Sequence, residues 1–140
     1  VWLFLRMALN AIDGMMAREH EMQSPLGGFL NELTDVVSDA VLYLPFALVT
    51  GISAGLVILV VFTSVLVEMA GVVAVQVGAS RRYDGPMGKS DRAFVFGLLG
   101  LLVALGVPLQ PWINPALAVM AALAIWTIVN RIRAGLRELR

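Results

Sequence analysis

Apolar residues run along this chain in long blocks separated by short polar stretches. The blocks cover residues 1–17, 29–49, 53–79, 93–107 and 112–129. A helix needs about 20 apolar residues, with a range of ~17–25, to cross the hydrocarbon of a bilayer. Each block reaches or approaches that length. Inside lipid only helices and closed barrels satisfy the backbone, and unbroken apolar blocks are the helical case. The pattern therefore predicts an all-α membrane protein with five spans. Pro45 falls inside the second block and predicts a kink there. Pro108, Pro111 and Pro115 fall around the connection between the fourth and fifth blocks, where proline does least harm.

The polar stretches are of two kinds. Residues 50–52 and 106–115 carry no charge. Residues 18–25, 80–92 and 130–140 hold Arg18, Arg81, Arg82, Lys89, Arg92, Arg131, Arg133, Arg137 and Arg140, nine of the ten basic residues. Clustering of Lys and Arg marks the cytoplasmic side. That alternation sets the first residue on the outer side. The chain also opens within an apolar run and without an initiator Met. The expectation is a single transmembrane domain over residues 1–140, truncated at its N-terminus, with a sixth helix upstream. The opening run lacks the basic flank and small-residue cleavage site of a signal peptide.

Composition agrees with a membrane chain. Of the 140 residues 59% are hydrophobic and 14% charged, with mean hydropathy +0.86. A soluble domain carries roughly 25% charged residues. The absence of cysteine excludes disulfides and thiolate chemistry. Formal net charge is zero, and topology accounts for the basic clusters, so nothing supports a nucleic-acid partner.

Chemistry is concentrated where polar residues interrupt the first two blocks. They form the string Asn10-x2-Asp13-Gly14-x2-Ala17-Arg18-x8-Gly27-x3-Asn31-x3-Asp35. Intramembrane polar groups are costly and are functional candidates by default. Arg6, Asn10 and Asp13 share one helical face. Asn31, Asp35 and Asp39 form a stripe that descends ~6 Å per step. If the two helices are antiparallel neighbours, Asp13, Asn31 and Asp35 converge as oxygen donors. Hard cations such as Mg²⁺ or Mn²⁺ take such donors, completed by phosphate oxygens. Gly14 and Ala17 let a ligand approach the backbone, Arg18 suits a phosphate, and Gly27-Gly28 opens a helix whose N-terminus favours an anion. Taken alone, the residues describe a metal- and phosphate-binding pocket at a cytoplasmic membrane interface. Interhelical hydrogen bonding without a ligand is the alternative, chiefly for Asn10 and Asn31.

This string resembles the signature of the CDP-alcohol phosphatidyltransferase family, D-x2-D-G-x2-A-R-x8-G-x3-D-x3-D. Spacing agrees throughout, and Asp13, Gly14, Ala17, Arg18, Gly27 and Asp35 match in kind. The departures are Asn10 and Asn31, which stand where the family has aspartate. The resemblance implies six spanning helices, a homodimer and an Mg²⁺- or Mn²⁺-dependent transfer in phospholipid biosynthesis. An acceptor hydroxyl would attack the phosphorus of a CDP-linked lipid, with CDP-diacylglycerol the expected donor, and CMP would leave. It also implies that Asp35 is the general base. Asn10, Asp13, Asn31 and Asp35 would hold metal, and Gly14, Ala17, Arg18 and Gly27 would surround the CDP moiety. The active site is expected to face the cytoplasm, in the inner membrane of a bacterium. Two asparagines for aspartates weaken metal affinity or shift the site toward fewer ions, with Asp39 or Glu32 as neighbours that compensate.

Other residues support or compete with this reading. Arg81, Arg82, Lys89 and Arg92 are candidates for binding the acceptor or the diphosphate, and topology alone also explains them. Glu68 either lines the pocket or pairs with Arg6. Arg131, Arg133, Arg137 and Arg140 read as membrane-surface anchors, and His20 as a solvated loop residue. Two rival functions remain at this stage. One is a family member that binds nucleotide or lipid without turnover; the other is a transporter using Asp13, Asp35, Asp39 and Glu68.

Overall fold

A computed structural model describes residues 24–140. Arg6, Asn10, Asp13, Gly14, Ala17 and Arg18, with the rest of the first apolar block, lie outside the described residues. Four α-helices follow in order: α1 Pro25–Tyr43, α2 Ala54–Gln76, α3 Lys89–Ala104 and α4 Ile113–Glu138. A 3-10 segment, Leu44–Leu48, follows directly on α1. The described residues contain no strand.

Local chemistry sets the helix ends. The Ser24 hydroxyl accepts a hydrogen bond from the Gly27 N–H at 3.0 Å, and Pro25 occupies the first turn, where its missing N–H costs nothing. At the other end Pro45 cannot supply an N–H to the α-helical ladder. The helix stops at Tyr43 and the chain tightens into the 3-10 segment, so the expected kink is instead a helix end. α3 begins at Lys89, four residues before the apolar block that predicted it. The Asp91 carboxylate accepts from the Gly88 N–H at 2.8 Å and caps that start. α4 likewise runs on past residue 129 to Glu138. Hydropathy registers the lipid-facing length, whereas caps decide where helices end.

Two of the helices, α2 and α4, are long and apolar enough to cross a membrane. α1 carries Glu32, Asp35 and Asp39 within its 19 residues. The 16 residues of α3 span about 24 Å at 1.5 Å each.

α2 and α4 form the closest-packed helix pair. In lipid, helices associate through close approach and hydrogen bonds rather than through apolar burial from water. Accordingly small residues line this seam: a Cβ added at Gly135 would lie 3.7 Å from that of Ala74. α1 and the 3-10 segment pack on α2. α3 joins through an aromatic stack of Phe96 on Tyr43, with ring centroids 4.1 Å apart and planes 8° from parallel. Val57, Val60, Val67, Phe96 and Leu117 complete a fully enclosed centre. Outward faces are apolar as well: Phe29, Phe62, Phe94 and Trp126 are all exposed. Apolar surface on that scale needs a nonaqueous neighbour. Thr63 and Ser64, on the enclosed face of α2, donate their hydroxyls to backbone carbonyls one turn back, at 2.9 Å to Leu59 and 2.6 Å to Val60.

Candidate active site

Charge gathers at one end of this bundle. α1 brings Asn31, Glu32, Asp35 and Asp39, α2 brings Glu68, and the α2–α3 loop brings Arg81 and Tyr83. Lys89 opens α3, and Arg131 comes from α4. Together they line an open polar basin with a volume of about 510 Å³. A narrow cleft continues from it between α1 and α2. That cleft shares Asp39 and Glu68 with the basin and adds Ser64 and Arg92.

Each acid of α1 meets a base from the loop or from α3. Glu32 binds Arg81 through both carboxylate oxygens, the second at 2.8 Å from Nη2. Asp35 is in contact with the Lys89 ammonium. Asp39, a turn deeper and 6% exposed, lies 3.7 Å from Arg92 Nη2. Glu68 is the hub of this end. Arg92 Nη2 donates to it at 2.7 Å, Arg131 Nη1 stands 3.7 Å away and Arg81 Nη2 4.0 Å away. Arg92 and Arg131 are 1% and 2% exposed. Charges so enclosed persist only when paired and hydrogen-bonded. Arg92 Nη1 therefore also donates to the Met87 carbonyl at 3.1 Å, and Arg131 Nη1 to the Val67 carbonyl at 2.7 Å. Among the described residues, the enclosed Nε groups of Arg81, Arg92 and Arg131 have no acceptor.

The loop that closes the basin is fixed at three points. Gly85 has φ +119°, a conformation side chains rarely adopt, and a Cβ there would fall 2.6 Å from Thr127 Cγ2. The glycine lets the loop lie flat on α4, where the Thr127 hydroxyl accepts from the Met87 N–H at 3.1 Å. Gly71 gives the same clearance on α2: a Cβ would meet the Arg82 carbonyl at 2.9 Å. Arg82 itself turns away from the basin. It binds Asp84 at 2.9 Å and Glu138 at 2.7 Å, tying the loop to the end of α4. That bond to Arg82 holds the Asp84 carboxyl below the usual carboxylate range. For Arg81, burial works against the charge, but the hydrogen bond and charge of Glu32 outweigh it and raise the pKa.

The expected residues thus divide. Asn31, Asp35, Asp39, Glu68, Arg81, Lys89 and Arg92 come together. Arg82 does not line the basin, and Gly27 serves the start of α1 beside Ser24. Glu68 pairs with three arginines. Arg131, expected at the membrane surface with its C-terminal neighbours, is instead buried in the site. Its signal was present in the sequence: Thr127, Arg131 and Gly135 continue at four-residue spacing the enclosed face that begins at Ile113.

No three acid or histidine side chains meet as a metal cluster among the described residues. What they offer a hard cation is part of a donor set: the Asn31 amide oxygen and the Asp35 carboxylate, one turn apart on the basin's wall. All-oxygen donors beside a polar opening fit a divalent ion in kind.

The sequence pattern of the CDP-alcohol phosphatidyltransferases matches residues 1–130. This chain belongs to that family. It is 48% identical over 134 residues to the inner membrane protein YnbA of Escherichia coli (strain K12), covering 96% of this chain and 67% of that protein. It is 31% identical over 137 residues to the archaetidylinositol phosphate synthase of Aeropyrum pernix, covering 97% of this chain and 68% of that protein. No solved structure matches it. As a CDP-alcohol phosphatidyltransferase relative of these two proteins, the chain falls among membrane-bound transferases of phospholipid synthesis.

Proposed function

We propose that this protein transfers a phosphatidyl group from CDP-diacylglycerol to an acceptor hydroxyl, releasing CMP, at the cytoplasmic face of the membrane. The observation that carries the reading is Asp35. It is the last residue of the family string and stands on the wall of a polar basin. That basin sits at the charged end of a bundle whose flanks are apolar. The whole of residues 1–140 acts as one domain with five spans, in a homodimer.

In this mechanism the acceptor oxygen attacks the phosphorus that carries the lipid alcohol. Its proton passes to Asp35 Oδ, the bond from that phosphorus to the CMP oxygen breaks, and CMP leaves with the electron pair. Asp13 and Asn10 of the first apolar block, with Asn31 and Asp35, would hold the Mg²⁺ or Mn²⁺. When bound, that ion supplies charge neutralisation for the diphosphate. By the family resemblance Gly14, Ala17, Arg18 and Gly27 would surround the CDP moiety. Arg81 and Arg131, whose guanidinium groups line the basin, favour an acceptor that itself carries a phosphate. Lipid-facing apolar surface beside the basin suits the acyl chains.

CMP release from CDP-diacylglycerol, assayed with a panel of acceptors and with Mg²⁺, Mn²⁺ or chelator, tests this. Release is expected to require the metal and to fall ~10²–10⁴-fold in Asp35→Asn, the range for loss of a general base. Binding of CDP-lipid with no release for any acceptor would establish the non-catalytic reading instead. Asn31, and the ammonium already in contact with Asp35, favour that second reading.

A further inference from the structure

We propose that Lys89 is a resident cation of the site, competing with a divalent ion for Asp35. The proposal rests on the transferase reading of the metal-binding residues and concerns what fills the site before a metal does. Lys89 is the first residue of α3, where the helix dipole disfavours a positive charge. Its ammonium nevertheless reaches across to the Asp35 carboxylate on α1. The base of the lysine cannot drift, because Asp91 caps Gly88 on one side and Arg92 is locked to Glu68 and the Met87 carbonyl on the other. Arg81 is already engaged with Glu32, and among the described residues Lys89 is the base in contact with Asp35.

The charge pattern agrees. Asn31, one turn before Asp35, offers an oxygen but no charge, and Asn10 repeats this in the sequence. A divalent ion is best held by several anionic oxygens, whereas an ammonium is matched by one carboxylate. With two amides in place of carboxylates, a divalent ion keeps only Asp13 and Asp35 as anionic ligands of the string, so an ammonium on Asp35 competes with it on better terms. A metal entering there has to displace Lys89.

The test is Mn²⁺ affinity of the full-length protein, read from the electron paramagnetic resonance of free Mn²⁺. Lys89→Met should tighten binding by about tenfold or more, as removal of a close like charge does. Lys89→Arg, which keeps the charge, should stay near wild type. Asp35→Asn should cost clearly more affinity in the Lys89→Met background than in wild type, the sign of coupling between the two residues. Unchanged or weaker binding in Lys89→Met, equal costs of Asp35→Asn in both backgrounds, or no Mn²⁺ binding at all would overturn the proposal. Should Lys89→Met lose its helical circular dichroism, two other variants decide. Asp35→Asn is expected to cost less affinity than Asp13→Asn, and the reverse order would refute the idea. CMP release is scored separately. Release with metal affinity indifferent to Lys89 sinks this inference alone. No release, with affinity tightened in Lys89→Met, sinks only the transferase.

Discussion

The two ends of the helical bundle are joined by different chemistry. At the uncharged end one neutral amide links two turns: Asn114 accepts from the Ser53 N–H at 2.8 Å and donates to the Gly51 carbonyl at 3.2 Å, with Gln110 on the same carbonyl. At the charged end Glu68 alone faces three guanidinium groups, from the loop, α3 and α4. The amide joint has one good arrangement and serves to fix geometry. The ionic end has several partners within 4.0 Å of one carboxylate, so a phosphate can take a guanidinium without leaving its former partner stranded. Redundant charge is what a binding site needs, and it is also what makes that end costly to disturb.

The largest effect that would sharpen this contrast is expected from Glu68→Gln. It leaves Arg92 and Arg131 enclosed without their shared anion, a loss of about 3–5 kcal/mol for a broken buried pair. Thermal unfolding in detergent measures it; a shift no larger than that of a surface variant would break the contrast. Asn114→Ala should cost about 0.5–1.5 kcal/mol, since the half-buried Ser53 N–H loses its partner while the Gly51 carbonyl keeps Gln110, with CMP release per folded molecule unchanged. The smallest effect concerns pH. Arg82 lowers the Asp84 pKa, so this pair's contribution is complete at and above the ordinary carboxylate range. It is lost only as pH falls through the lowered value. Hydrogen exchange of residues 80–88 should therefore stay flat, after correction for intrinsic rates, from neutrality to about pH 5 and rise below the carboxylate range.

Helix existence was legible from the apolar blocks because lipid enforces a length. Helix ends were not, since Lys89 to Arg92 are polar and their helical state depends on the Asp91 cap. The acid stripe Asn31, Asp35, Asp39 was legible because four-residue spacing survives in any helix. Its basic partners were only partly so. Arg81 and Arg82 are adjacent in sequence, yet one enters the basin and the other binds Asp84 and Glu138. That choice depends on how the loop lies over Gly71 and Thr127, a tertiary matter. Arg131 was missed for the opposite reason, because a basic cluster beyond an apolar block invites a surface explanation for all its members.

The length of α4 has a consequence for depth. Its 26 residues extend about 39 Å at 1.5 Å each, beyond the ~30 Å of bilayer hydrocarbon. With Ile113 at one hydrocarbon edge of an upright helix, Arg131 lies about 27 Å along, close to the opposite edge. On that placement the basin would open at the level of lipid phosphates. A lipid diffusing in that leaflet would then present its head group there while its chains stayed among those of its neighbours, so binding would require no extraction from the bilayer.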